Sequence, residues 1–146
     1  MITIEIINDY SSKLYIELEL IKSLILKVLK FESICEANIA FILSNRNYLS
    51  KLKKSFFNKD HYTDVIAFNF NDKSETIEGE IYISIDDVLS NSKKFNQSFN
   101  DEFKRITIHG LLHIIGYNDN TIKNKKHMTQ LENKYMDIIT NQMIKI

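Results

Sequence analysis

Segments with helical and strand-like hydrophobic periodicity alternate along this chain, and the alternation limits its possible folds more than any other feature. In residues 12–31, apolar side chains recur every three to four positions, as on one face of an amphipathic helix. Strand-like runs occupy residues 2–7, 37–43, 65–70 and 79–85. Further helices are predicted over residues 45–56, 87–95, 98–115 and 122–140. We therefore expect an α/β or α+β fold, a small mixed β-sheet of about four strands packed with four to five helices.

The length of the chain indicates one domain, and its net charge indicates no general electrostatic attraction for polyanions such as RNA. The 146 residues, 44% of them hydrophobic, suit a single domain spanning residues 1–146. Nineteen basic side chains balance 19 acidic ones, which excludes a polycationic protein that coats nucleic acid. Any contact with RNA must therefore come from local patches of the surface.

The sequence also predicts a cytoplasmic protein without a membrane contact. The first residues, MITIEIIND, lack the basic start of a signal peptide. The longest apolar stretch, residues 14–28, contains four charged side chains and cannot span a bilayer. The single cysteine, Cys35, excludes a disulfide framework and a cysteine-rich zinc module. We expect Cys35 to be a small buried core residue.

Two histidines, His109 and His113, lie one helical turn apart in the segment ITIHGLLHIIGYNDN at residues 106–120. Apolar residues cover more than half of this predicted helix, so it should be mostly buried. Side chains four residues apart on a helix have Cβ atoms roughly 5–6 Å apart, and both imidazoles can reach one point. A zinc ion at about 2.0–2.1 Å from each nitrogen fits between them.

A third ligand can follow the two histidines. Gly116 lies where a helix commonly ends in a left-handed residue, and a reversal there would return Asp119 towards the histidines. Three protein ligands with an open fourth position are typical of a catalytic metal. Asp119 can equally be a solvated turn residue. In that case His127, otherwise expected to be exposed among lysines, is the alternative third ligand.

The run HGLLHIIGYND at residues 109–119 closely resembles a family signature, His-Gly-x-Leu-His-Leu-x-Gly-Tyr-Asp-His. This signature is that of the YbeY family of bacterial endoribonucleases, which mature ribosomal RNA. Other segments of the chain resemble family motifs in the same order, namely Asn45-Arg46, Thr63 to Phe68, Gly79 to Ser84, and Met128 with Glu132. The resemblance covers roughly residues 37–136.

The resemblance implies a metal-dependent endoribonuclease that cleaves single-stranded RNA. It implies one zinc ion, or another divalent metal, and a role in 16S rRNA 3′-end maturation and 30S quality control. The expected partners are the 16S rRNA precursor and the small ribosomal subunit. We expect the metal to supply an activated water, while the general base stays unassigned. Asp64 and Glu80 are candidates for orienting the histidines, and Lys54 and Lys59 for binding RNA.

The sequence departs from the family pattern at two positions that bear on chemistry. Asp119 replaces the third histidine, which lowers the formal charge of the site and makes harder metals such as manganese more competitive. Phe57 replaces a basic residue that would meet phosphate. Aromatic side chains can stack on unpaired bases instead, and the candidates are Phe56, Phe57, Tyr62 and Tyr117. Phe68 and Phe70 are predicted as core residues.

Two other functions compete with the nuclease. The His-x3-His spacing also matches zinc proteases, but Gly110 stands where their glutamate base would be, which argues against peptide hydrolysis. A glycine there would instead leave space beside the metal for a phosphodiester. The other alternative is a non-catalytic ribosome-assembly module with a structural metal.

Overall fold

Five helices and six strands make up the described part of this computed structural model, residues 1–58, 63–71 and 76–146. The strands are β1 (Ile2–Asn8), β2 (Tyr15–Ile16), β3 (Ala37–Ser44), β4 (Val65–Asn69), β5 (Ile77–Ser84) and β6 (Ile144–Lys145). The helices are α1 (Leu18–Phe31), α2 (Arg46–Phe57), α3 (Ile85–Lys94), α4 (Phe99–Ile115) and α5 (Ile122–Met136). The expected α/β fold with a small mixed sheet is confirmed.

The central sheet has the strand order β1-β3-β5-β4. β1 and β5 each pair in parallel with β3, whereas β4 pairs antiparallel with β5 and forms one edge. Side chains alternate between the two faces of a strand. On β5, Ile81 and Ile83 are buried on the face that packs against α4. Tyr82 points to the opposite face, where its ring contacts Tyr48 of α2.

α4 is the central helix of the fold, and its close packing on the sheet explains why position 110 is glycine. Ten of its 17 residues are buried, as its apolar pattern predicts. A Cβ atom at Gly110 would lie 2.9 Å from Cγ2 of Ile81 and 3.0 Å from Cγ2 of Val65. The glycine therefore lets α4 approach the sheet closely, and it also lines the cleft beside the histidines. That it makes room for a phosphodiester stays a prediction.

Two helices begin at different residues from those predicted. α1 starts at Leu18 rather than residue 12, because residues 15–16 form β2 and pair with β6 at the other end of the chain. α3 is capped by Ser84, whose hydroxyl accepts from the backbone N–H of Asp87. The carboxylate of neighbouring Asp86 accepts from the backbone N–H of Arg46. A long-range strand pairing thus decided the start of α1, whereas a local cap decided the start of α3.

Two further predictions failed at the ends of elements. Cys35 is exposed rather than buried, because it lies in the short connection between α1 and β3. α5 ends at Met136 instead of residue 140. There the buried ammonium of Lys104 donates to the backbone carbonyls of Met136 and Ile139, at 3.0 and 2.6 Å. The contact with Met136 satisfies one of the carbonyls that the end of α5 leaves unpaired. Among the described residues, no helix combines the length and apolar character needed to cross a bilayer.

Candidate metal centre

His109 and His113 project from the same side of α4 and meet at their Nε2 atoms. The two nitrogens lie 3.0 Å apart, and both side chains are half-buried. The ring planes are nearly perpendicular, at 77°, with centroids 4.6 Å apart. The two imidazoles therefore converge on one point, as their spacing along the helix predicts.

The turn after α4 brings a carboxylate to this point. Gly116 ends the helix with φ of 128°, a left-handed conformation that favours glycine, and its N–H bonds back to the last turn. The chain then reverses. Asp119 places one carboxylate oxygen 3.8 Å from His109 Nε2 and the other 3.9 Å from His113 Nε2. The reversal predicted at Gly116 is thus present, and the Asp119 carboxylate lies beside both rings.

The three side chains fit a metal ion. Their donor atoms all lie within 4.8 Å of one another. Tetrahedral zinc with bonds of about 2.0–2.1 Å separates its ligand atoms by about 3.3 Å. The separations of 3.0 to 3.9 Å between the donor atoms here lie on both sides of this value. Small side-chain rotations would therefore bring the set to a zinc geometry, with room for a further ligand.

A glutamate on α5 holds the first histidine. The Glu132 carboxylate lies 2.7 Å from Nδ1 of His109, and its other oxygen accepts from Arg105 at 3.3 Å. A carboxylate at Nδ1 favours the tautomer with its proton on Nδ1, which leaves Nε2 free to bind metal. Sequence reasoning did not assign this role to Glu132. The available signal was a carboxylate on the buried face of α5, between Met128 and Tyr135.

The two histidines differ in proton affinity. Burial disfavours charge on His109, but the hydrogen bond and negative charge of Glu132 outweigh it, so the pKa of His109 is raised. Burial, together with the nearby His109, lowers the pKa of His113. His113 therefore stays neutral near neutral pH, the form of imidazole that binds a metal.

The two residues expected to orient the histidines have different surroundings. Asp64 lies close to His109 and lines the same cleft, where burial raises the pKa of its carboxyl group. Its carboxylate accepts a hydrogen bond from Asn91 at 3.2 Å. Glu80 accepts from the Tyr82 hydroxyl at 3.0 Å, and neighbouring Ile81 points to α4. Glu80 thus faces away from the histidines, and the prediction for it is wrong, because strand alternation places it on the other side of the sheet.

The donor atoms lie in a cleft of about 610 Å³ between α4, β4 and the end of α2. Lys53 and Phe57 of α2 line it, whereas Lys54 is exposed and lies outside the lining residues. Lys59 and Tyr62 fall outside the described residues. His127 is exposed, as predicted, with its ring 5.6 Å from that of Tyr117. Among the described residues, the cluster of possible metal ligands includes Asp119 and not His127.

Comparisons with known proteins identify the family of this chain. The sequence model of the endoribonuclease YbeY family matches residues 6–140. Curated proteins named endoribonuclease YbeY include one from Chlorobium limicola, 34% identical with 82% of each chain covered. A second, from Chloroherpeton thalassium, is 39% identical, with 70% of this chain and 72% of the relative covered. The solution structure of TM1509 from Thermotoga maritima superposes with a TM-score of 0.61 at 28% identity, covering 94% of this chain and 87% of that one. The chain belongs to the endoribonuclease YbeY family.

Proposed function

We propose that this protein is an endoribonuclease that hydrolyses internal phosphodiester bonds of single-stranded RNA with a divalent metal ion. Family membership supports the RNA endonuclease activity. The observation that carries the metal dependence is the convergence of His109, His113 and Asp119 in an open cleft. Zinc is the first candidate because the ligand set and its spacing suit a tetrahedral ion with one free position.

The bound metal would supply Lewis-acid chemistry, polarising a phosphoryl oxygen and acidifying a water molecule. The residues of the chain prepare the site for it. Glu132 fixes the tautomer of His109, and the depressed pKa of His113 keeps its ring neutral. Asp119 contributes a negative charge that a third histidine would not. This charge favours harder metals, so manganese competes better here than in a site of three imidazoles.

Other residues are proposed to orient a metal ligand or to bind the RNA. Asp64, in the same cleft and close to His109, is proposed to orient that histidine through its charge. Lys54, exposed on α2, is proposed to meet RNA phosphates as the strand leaves the cleft. Lys59 is a further candidate from the sequence. A protein group acting as general base is not part of the proposal.

The biological role is proposed from the resemblance to the YbeY family. It comprises maturation of the 16S rRNA 3′ end and quality control of the 30S subunit, in the cytoplasm. The expected partners are then the 16S rRNA precursor and the small ribosomal subunit. Position 110 is glycine rather than the glutamate that serves as the base in zinc proteases, which argues against the protease alternative.

Cleavage of an end-labelled, unstructured RNA by the zinc-loaded full chain tests the proposal. We expect endonucleolytic products from the wild type, loss of cleavage on chelation by EDTA, and recovery when zinc is returned. His113→Ala should abolish cleavage irrespective of added zinc. His127→Ala is the matched control, since this histidine is exposed and lies outside the ligand cluster, and it should cleave normally.

The two alternative functions predict different results when RNA cleavage, binding to 30S subunits and peptide turnover are compared. A protein that retains zinc and binds 30S subunits but never cuts RNA would be a non-catalytic assembly module. Turnover of a peptide library without RNA cleavage would identify a metallohydrolase of the protease type. Either outcome contradicts the proposed nuclease.

A further inference from the structure

A cluster of aromatic rings covers the sheet face opposite α4 and reaches the rim of the metal cleft. Phe68 of β4 is its centre, with four other rings within 6.4 Å of its own. These four neighbours belong to Phe56, Phe57, Phe70 and Tyr82. The prediction that Phe70 belongs to the core is wrong, because this face of the sheet is only partly covered by α2.

Three of these rings are unusually exposed for phenylalanine. The exposed fractions are 67% for Phe56, 42% for Phe57 and 62% for Phe70. Contiguous exposed apolar surface is disfavoured in water, and on soluble proteins it commonly marks a binding site. The packing of Phe56 and Phe57 on Phe68 holds them in place, so their exposed surface is preorganised.

The arrangement of the rings favours flat aromatic ligands. The Phe57 ring is nearly parallel to that of Phe68, at 21° with centroids 5.7 Å apart. Phe68 and Phe70 are also nearly parallel, at 13° and 6.4 Å. Similarly oriented ring faces suit successive bases of an unpaired strand, which stack on aromatic side chains irrespective of sequence. Bases in a duplex are already stacked and cannot use such a surface.

Charge and position connect this cluster with the metal centre. The ammonium of Lys53 lies over the face of the Phe57 ring, 4.7 Å from its centroid. Lys53 and Phe57 both line the cleft that contains His109 and His113. A cation beside a stacking surface is the combination that binds single-stranded nucleic acid, since it neutralises phosphate while the rings hold the bases. The same rim therefore offers both kinds of contact next to the reacting position.

We propose that Phe56, Phe57 and Phe70 form a base-stacking platform that guides an unpaired RNA strand into the metal cleft, with Lys53 contacting its backbone. This proposal rests on the proposed nuclease function and extends it by naming how the substrate is held. The platform selects unpaired RNA because only splayed bases can reach the ring faces.

The absence of tryptophan from the sequence allows a direct test. Phe57→Trp introduces a single tryptophan into the platform. Its fluorescence is followed while a short single-stranded oligouridylate is added to the full chain in EDTA, which prevents cleavage. We expect saturable quenching, because a stacked base quenches the indole, and little quenching by a duplex of equal length. Phe95→Trp is the matched control: Phe95 is 55% exposed, with a lysine Nζ 5.5 Å from its ring centroid, but lies outside the cleft.

Alanine substitutions give a second measurement. Phe57→Ala and Phe70→Ala should each weaken binding of the single strand by roughly tenfold, as expected for loss of one stacked base. Phe95→Ala should bind as the wild type does. Phe57→Tyr should retain binding, because a phenol ring also stacks, and this separates stacking from a general disturbance of α2.

The outcomes separate this proposal from the nuclease function. If the wild type cleaves RNA but Phe57→Trp is not quenched, or Phe95→Trp is quenched equally, the platform is wrong and the nuclease stands. If quenching and the alanine effects occur without any cleavage by the zinc-loaded protein, the platform stands and the nuclease is wrong. Equal binding by wild type and both alanine variants also overturns the platform.

Discussion

The Glu132 carboxylate lies 2.7 Å from Nδ1 of His109, although the two residues are 23 positions apart in the sequence. This contact joins α5 to α4 at the candidate metal centre and favours the His109 tautomer with its proton on Nδ1, away from Nε2. Glu132 is nearly fully buried, so its charge is screened little by water. The orientation of His109 therefore depends on the packing of two helices.

Replacement of Glu132 should weaken metal binding. Glu132→Gln keeps the size of the side chain but removes the negative charge that polarises His109. We expect zinc affinity to fall by about 10- to 100-fold, the usual effect of losing a carboxylate behind a ligating histidine. Competition with a chromogenic chelator measures the affinity. Arg105→Gln is the control, since it removes the ion pair with Glu132 and leaves the contact with His109; an equal loss there would contradict the explanation.

The identity of the third ligand can be decided by elemental analysis. Asp119→Ala should lose most bound zinc, because two imidazoles alone hold the ion weakly, whereas His127→Ala should retain it. The reverse pattern would show that His127 is the ligand. Asp119→His should increase the preference for zinc over manganese, since an imidazole is a softer ligand than a carboxylate. Metal content after dialysis against both ions provides this ratio.

Replacement of Gly110 by alanine should have two opposing effects on the free energy of unfolding. Alanine favours a helix over glycine by about 1 kcal/mol, which alone would stabilise the protein. The added Cβ would lie 2.9 and 3.0 Å from methyl groups of Ile81 and Val65, both on β-branched side chains that cannot easily move. We expect the steric effect to prevail, with Gly110→Ala lowering the free energy of unfolding by about 1–3 kcal/mol. Urea denaturation measures it, and a net gain in stability would refute the close approach.

Tyr82 should make stability fall in alkaline solution. Burial and the hydrogen bond to Glu80 raise the pKa of Tyr82 from its ordinary value of 10.0 to about 12. Because the folded protein holds this proton more tightly than the unfolded chain, the contribution is complete below pH 10 and disappears as pH rises towards 12. Glu80→Gln should lower the pKa of Tyr82, measured by the ultraviolet absorbance of tyrosinate. The zinc affinity of Glu80→Gln should equal that of the wild type. A lower affinity would show that Glu80 does act on the histidines.

The local sequence predicted helices and strands correctly in segments that carry a single clear pattern of apolar or capping residues. α4 begins after Ser98 and ends before Gly116, as the capping residue and the glycine indicate. The four main strands also lie where the apolar runs occur. The start of α1 could not be read locally, because residues 15–16 pair with a strand near the other end of the chain. Helical periodicity continued through that segment and gave no sign of the pairing.

The sequence by itself determined that His109 and His113 lie on one side of α4, because residues four apart on a helix share a side. It also determined the reversal at Gly116 that makes Asp119 available. Only the tertiary structure decided which carboxylate holds His109, since Glu132 reaches it through the packing of α5 on α4. It likewise placed Glu80 on the far side of the sheet and gathered the aromatic cluster around Phe68. Contacts within one turn follow from backbone periodicity, whereas contacts between elements depend on how distant faces pack.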